Sequence, residues 1–312
     1  MTFSIVALDR VTGDLGIAVQ SKFLAVGAVV PWARAGVGAI ATQAFANVAY
    51  GPGALELLDQ GLPAGDVLAR LVAADDLREQ RQAGVVDRHG GSATHTGRNC
   101  FAWAGGRAGD GFAAQGNILA GAGVVDGLAD TFVAGGPAFP ELLVACLAAA
   151  QAAGGDRRGQ ESAALLIVRE GGGFGGGNDR WVDLRVDQHD DPIGELGRVL
   201  EFQRLYYERP EAGDLKSIDE ATATEIRAIL ESIEGGPGGR FGRLYEPMFD
   251  PIPDDAPTVP VGEPRRFPSN WDDAWQRALA DWLDAENLEA RTAAPGWIDP
   301  RALDILRTRR PT

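Results

Sequence analysis

Cysteine is scarce in this chain: Cys100 and Cys146 are the only two among 312 residues, and they stand far apart. That argues against a disulfide framework and fits a reducing compartment. No stretch approaches the ~20 apolar residues a membrane-crossing helix needs. The start, Met1-Thr2-Phe3-Ser4, lacks a basic region followed by a long apolar one, and Asp9 and Arg10 interrupt it early. It reads as folded protein rather than an export signal, so a cytoplasmic location is expected and a cell-wall ligand would be hard to reach. Positive charge is in deficit, leaving a net charge of −15. Such a surface repels phosphate backbones and anionic lipid, so neither nucleic acid nor a membrane is an expected partner. Its ordinary consequence is solubility. His89 and His95, in a polar stretch, make a weak metal site on their own, so no metal and no cofactor are expected.

What is present is an ordinary globular mix, 45% hydrophobic and 23% charged, which builds a core without staples. Phe3, Ile5 and Ala7 alternate with Ser4 and Val6. The cluster Val11-Thr12-Gly13-Asp14 then separates them from a second extended run, Leu15 to Ser21, as in a hairpin. Strands are also predicted over Ala25–Val30 and Val37–Gln43, and helices over Gly53–Gln60 and Pro63–Ala74. Extended pieces follow near 83–86, 93–96, Cys100–Ala104 and 111–116. Helices over 124–132 and 140–152 come next, then strands over 163–169 and 181–186. Paired helices between groups of strands argue against a doubly wound parallel sheet. They suit an α+β fold over residues 1–190, with two stacked, mainly antiparallel sheets and helices on both outer faces, an αββα sandwich. Gly171, Gly173 and Gly176 match GxGxxG spacing, but a strand follows them, so they read as a hairpin loop and not a phosphate cradle. A helical extension with a Pro- and Asp-rich linker at Met248–Arg266 is expected over 191–266. A small helical unit over 267–312 carries Trp271, Trp275, Leu279, Trp282 and Leu283 on one helix face, a pattern more often a core face than a sugar platform.

Thr2 stands directly behind Met1, and aminopeptidases generally remove Met1 before a small residue. A chain that begins at Thr2 holds a hydroxyl nucleophile and, in the same residue, an α-amine with a pKa of ~7.7–8.0 that takes up its proton. The plain alternative is a β-branched residue opening a strand. The opening Thr2-Phe3-Ser4-Ile5-Val6-Ala7 and Thr12-Gly13-Asp14-Leu15-Gly16-Ile17-Ala18-Val19-Gln20-Ser21-Lys22 resemble the bacterial family called domain of unknown function 1028. So do Val37-Gly38-Ala39-Ile40-Ala41-Thr42-Gln43, Asn47, Tyr50-Gly51-Pro52, Arg81-Gln82, His95-Thr96-Gly97 and Gln115-Gly116-Asn117, in the same order. The likeness runs over roughly residues 2–190. It implies membership of the N-terminal-nucleophile (Ntn) hydrolase superfamily, its four-layer αββα sandwich and an amide-hydrolysing ancestry.

On that basis Thr2 is the candidate nucleophile and Asn117 the candidate oxyanion donor, with Ser21, Lys22, Thr42, Gln43, Asn47, Arg81, His95 and Gln115 as candidate binding residues. Proteasome-like relatives keep a lysine near the terminal threonine. Here Lys22 and Lys216 are the only lysines, Lys22 does not clearly match that position, and the tuning charge is either supplied otherwise, for example by Arg81, or absent. Cys100, next to Phe101 and Trp103, reads as a buried structural thiol. Residues around Trp271, Trp275, Trp282, Glu286-Asn287-Leu288 and Gly296-Trp297-Ile298-Asp299 resemble a peptidoglycan-binding domain. The expected partner is a small amide or peptide substrate, and a homo-oligomer stays open. Two alternatives stand beside amide hydrolysis: a binding or scaffold protein on a silent Ntn fold, and a peptidoglycan or glycan binder acting through the C-terminal unit.

Overall fold

Residues 2–242 and 264–309 are described by the computed structural model, so Met1 and most of the linker expected at Met248–Arg266 lie outside the described residues. The chain divides into two compact units, 1–200 and 201–312. The first runs β1 (Thr2–Leu8), β2 (Leu15–Ser21), β3 (Pro31–Arg34), β4 (Gly38–Ala44), α1 (Tyr50–Asp59), α2 (Ala64–Ala73), β5 (Arg81–Asp87) and β6 (Ser92–Thr96). It continues through β7 (Gly105–Gly109), β8 (Phe112–Asn117), α3 (Gly123–Ala134), α4 (Phe139–Ala152), β9 (Ser162–Val168) and β10 (Arg180–Val186) into α5 (Pro192–Tyr207). Two sheets form, a six-stranded one in the order β10-β9-β2-β1-β8-β7 and a four-stranded one in the order β3-β4-β5-β6. Every pairing in them is antiparallel.

Alternation along the strands sorts the apolar side chains into three layers. Phe3, Ile5, Ala18, Leu165 and Ile167 of the six-stranded sheet pack on Leu128 of α3, Leu143 and Leu147 of α4 and Leu196 of α5. Val6, Leu8, Ile17 and Val19 turn the other way and meet Ala39, Ala41 and Val86 of the four-stranded sheet. Ile40, Ala83 and Val85 on the far side of that sheet pack on Tyr50, Ala54 and Leu58 of α1 and Val67 and Leu68 of α2. Each fully buried Leu, Ile, Val or Phe stabilises by about 1.5–3 kcal/mol relative to exposure, so these three layers hold the unit together. The β1–β2 hairpin closes where Gly13 takes a positive φ of 80° and the Asp9 carboxylate accepts from Val11 N at 2.8 Å and Thr12 Oγ1 at 2.9 Å.

Three details depart from the sequence expectation. Ala25–Val30 is not a strand: Ala25 is left-handed and Val26–Ala28 forms a single 3-10 turn. Val26 and Val30 drop into the layer between the sheets, and Val26 N donates to Ser162 Oγ at 3.1 Å, so tertiary contact overrides β propensity. Cys100–Ala104 is loop, with Trp103 lying over Gly105, and the strand begins only at Gly105. Pro31–Arg34, missed in the sequence, forms an edge strand opened by proline, where a missing N–H costs no ladder bond.

The second unit contains β11 (Lys216–Ser217), α6 (Glu220–Ser232), α7 (Asp273–Ala285), β12 (Trp297–Ile298) and α8 (Pro300–Thr308). Asp219, Asp272 and Asp299 cap the three helices by accepting backbone N–H groups. Ile226 and Leu230 of α6 share one core with Leu279 and Trp282 of α7 and Leu303 and Leu306 of α8, so the helical extension and the terminal unit fold around a single core here.

Candidate active site

Thr2 opens β1, the middle of the six-stranded sheet, and faces Ser21 of β2 on one side and Asn117 of β8 on the other. Its face is the one that carries Val6 and Leu8 into the space between the sheets. That space therefore changes character along β1, from apolar at Leu8 to polar at Thr2 and Ser4. Inward-facing residues of the other strands continue the polar end: Gln115 and Asn117 from β8, Gln43 from β4 and Gln82 from β5. All six side chains are at most 5% exposed.

Burial without partners costs roughly 1–3 kcal/mol per polar group, and here the groups bond one another in a directed chain that leaves Gln115 Oε1 without a partner. Gln115 Nε2 donates to Ser4 Oγ at 2.7 Å, Ser4 Oγ donates to Gln43 Oε1 at 2.7 Å, and Gln43 Nε2 donates to Gln82 Oε1 at 2.8 Å. Gln82 Oε1 also accepts from Asn117 Nδ2 at 2.8 Å. Gln82 Nε2 donates in turn to Gly116 O at 2.7 Å and Thr96 Oγ1 at 2.9 Å. Because backbone carbonyls only accept, the far end fixes which way every amide in the chain points. Gln43 Nε2 reaches Thr2 O at 3.3 Å, and Thr2 Oγ1 lies 3.1 Å from Ser21 Oγ. Gly84 leaves room for the Gln115 carboxamide, which a Cβ at that position would displace.

The structure thus brings together Thr2, Ser21, Gln43, Gln115 and Asn117. It separates Thr42, Asn47, Arg81 and His95, which belong to the opposite face or the flanking loops of the four-stranded sheet. There Arg81 Nε donates to Asp75 at 2.8 Å, Asn47 Nδ2 donates to the same carboxylate at 3.1 Å, and Thr42 Oγ1 donates to Asn47 O at 3.1 Å. The Arg81 guanidinium, with Asn47 assisting, holds the Asp75 carboxyl well below the usual carboxylate range. Burial first, and the nearby Asp75 charge second, push the Tyr50 hydroxyl up to about 12. His95 Nε2 donates to Arg78 O at 3.0 Å. Lys22 points away as an ion pair with Glu161 at 2.6 Å. Gln82, which the sequence offers only within the family motif Arg81-Gln82, and Asp75 are not among the candidate site residues read from the sequence. Strand parity (Gln82-Gly84-Val86 on one face) was the available signal for the first, and a loop aspartate offered none for the second.

Neither thiol belongs to the site. Burial raises the Cys100 pKa, and Cys100 Sγ donates to Arg81 O at 3.4 Å. Burial pushes Cys146, inside the α4 layer, up to about 12, which keeps it a protonated apolar group. Among the described residues no three His, Cys, Asp or Glu side chains converge on a metal-sized site, and no helix is long and apolar enough to cross a membrane.

An antiparallel two-sheet α+β unit with a neutral, amide-lined polar end between the sheets is the class of protein these observations define. The chain belongs to the family of unknown function DUF1028, whose model matches residues 2–196. Residues 263–306 match a second family, described as "Putative peptidoglycan binding domain". A crystal structure of a protein from Silicibacter pomeroyi, itself placed in DUF1028, is similar at 31% identity with a TM-score of 0.60. The match covers 65% of this chain and 86% of that one. No curated protein matches.

Proposed function

We propose that the first unit is a four-layer αββα sandwich of the Ntn type and that Thr2 hydrolyses an amide. The observation that carries this reading is the place of Thr2: its hydroxyl stands at the polar end of the inter-sheet space, 3.1 Å from Ser21 Oγ and in register with Asn117. With Thr2 as the terminal residue, Oγ1 attacks the amide carbonyl carbon and its proton passes to the Thr2 amine. Asn117 Nδ2 carries two hydrogens. One goes to Gln82 Oε1, and the other is assigned to the developing oxyanion. The C–N bond then breaks, the amine proton goes to the leaving nitrogen, and an ester on Thr2 remains. Water hydrolyses that ester to the acid and restores the hydroxyl. Ser21, Gln43 and Gln115 hold β1 and its hydroxyl in position.

Intact-mass spectrometry of the native protein tests the premise. The expected mass is that of a chain starting at Thr2, and Thr2→Ala is expected to fold and to lose hydrolysis of an amide panel. A chain that retains residues before Thr2 overturns the mechanism.

A silent scaffold is the reading favoured by the fate of the cations. Lys22 Nζ is committed to Glu161, so it does not serve Thr2. The match over 263–306 favours glycan binding by the second unit. The tryptophans weigh against it. Trp282 and Trp271 are core residues, and Trp275 and Trp297 each have an arginine over a ring face, at 4.7 and 4.9 Å.

A further inference from the structure

Exposed apolar side chains concentrate around the Thr2 end of the first unit. Phe23 and Leu24 follow Ser21, Phe45 follows Gln43, and Phe101 O accepts from the N–H of Ile118, next to Asn117, at 2.9 Å. With Val48 of the Phe45 loop, they are 50–75% exposed. Exposing such side chains forgoes their burial, and grouped apolar exposure marks a binding site more often than scattered exposure does.

The rim is also held in place. The Arg81 guanidinium lies 5.1 Å from the centroid of the Phe45 ring, and Arg81 NH1 donates to Phe45 O at 2.5 Å. Ala25, Ala44 and Ile118 have positive φ values of 53°, 65° and 54° and sit where the chain leaves the sheets beside these side chains. The left-handed region is unfavourable for an L residue, most of all for β-branched Ile, and such residues collect at ligand sites. Three ion pairs lie nearby, Lys22 with Glu161, Arg81 with Asp75 and Arg158 with Asp156, while Arg157, whose N–H donates to Ile118 O at 3.3 Å, is exposed. The belt beneath consists of neutral amides and hydroxyls.

We infer that the ligand of the Thr2 end is an uncharged amide bearing a bulky apolar group, seated on the Phe23, Phe45 and Phe101 rim with its amide toward the belt. That it is cleaved rests on the hydrolytic reading above; that it is bound does not.

Nile red, a neutral apolar dye, and two anilides test this: octanoyl p-nitroanilide and the anionic succinyl p-nitroanilide. Dye fluorescence is expected to rise on the native protein and to fall ~10-fold in the Phe45→Ser/Phe101→Ser variant with its thermal melt unchanged, and kcat/KM is expected to favour the octanoyl anilide by ~10-fold or more. Octanamide displacing Nile red, with succinamate inert, supports the inference without any variant. Dye binding on the rim with neither anilide cleaved keeps the inference and removes the hydrolytic reading. Equal cleavage of the two anilides, or a preference for succinyl, overturns the inference and leaves Thr2 catalysis standing. A dimer in sedimentation that excludes the dye and dissociates in the double variant assigns the rim to a second copy and overturns it too.

Discussion

Replacing Gln82 by leucine removes the hub of the amide belt at nearly constant volume. Asn117 Nδ2 loses its acceptor at 2.8 Å, and Gln43 Nε2 loses its shorter partner and keeps Thr2 O at 3.3 Å. Gly116 O and Thr96 Oγ1 each lose a donor. An orphaned buried donor costs about 1–3 kcal/mol. The leucine returns at most ~1–2 kcal/mol of apolar burial. The net expectation is a loss of about 1–3 kcal/mol, which at ~2 kcal/mol per molar urea moves the midpoint down by ~0.5–1.5 M. Hydrogen exchange on the peptide covering residues 2–8, followed through a urea series, reports this unit separately from the helical one. Protection of β1 should fall with the midpoint. A midpoint that moves by less than ~0.3 M, with β1 protection unchanged, would show that the belt amides bring no hydrogen-bond stabilisation, and the account of the polar end would fail.

Asp75→Asn leaves the Arg81 guanidinium, only 8% exposed, without its counter-charge, and an expected loss of about 3 kcal/mol near neutral pH follows. The native Asp75 pKa is depressed, so its contribution is present above the unfolded value of ~3.9 and fades as pH falls below it. The native protein should lose stability below about pH 4 more steeply than the variant, and parallel acid limbs in chemical melts would contradict the ion pair. Sedimentation with insoluble peptidoglycan should retain none of the protein, since the tryptophans of the second unit are buried or covered by arginine; saturable retention would instead establish the glycan-binding reading.

Much of the first unit was readable from one dimension. Alternation marked β1, and short apolar runs bounded by turn residues located β2, β5, β8, β9 and β10 to within a residue or two, because strands covered on both faces are largely apolar throughout. Grouped helices excluded a parallel sheet, and ordered motifs named the family. Thr2, Ser21 and Asn117 came from those motifs and from strand ends. What sequence reasoning missed was the face on which each residue stands. Arg81 and Gln82 are neighbours in the chain, yet one holds Asp75 outside the four-stranded sheet while the other joins Gln43 and Asn117 between the sheets. A one-residue offset in a strand reverses every side chain, and no local signal states which side a second sheet will cover. Stacking of the two sheets decided that, by bringing Ser4 onto Gln43 and Gln115, which are 39 and 111 residues away. Local propensity thus determined where strands form, while the desolvation of polar groups between two sheets decided which amides must meet and left Thr2 at the end of their chain.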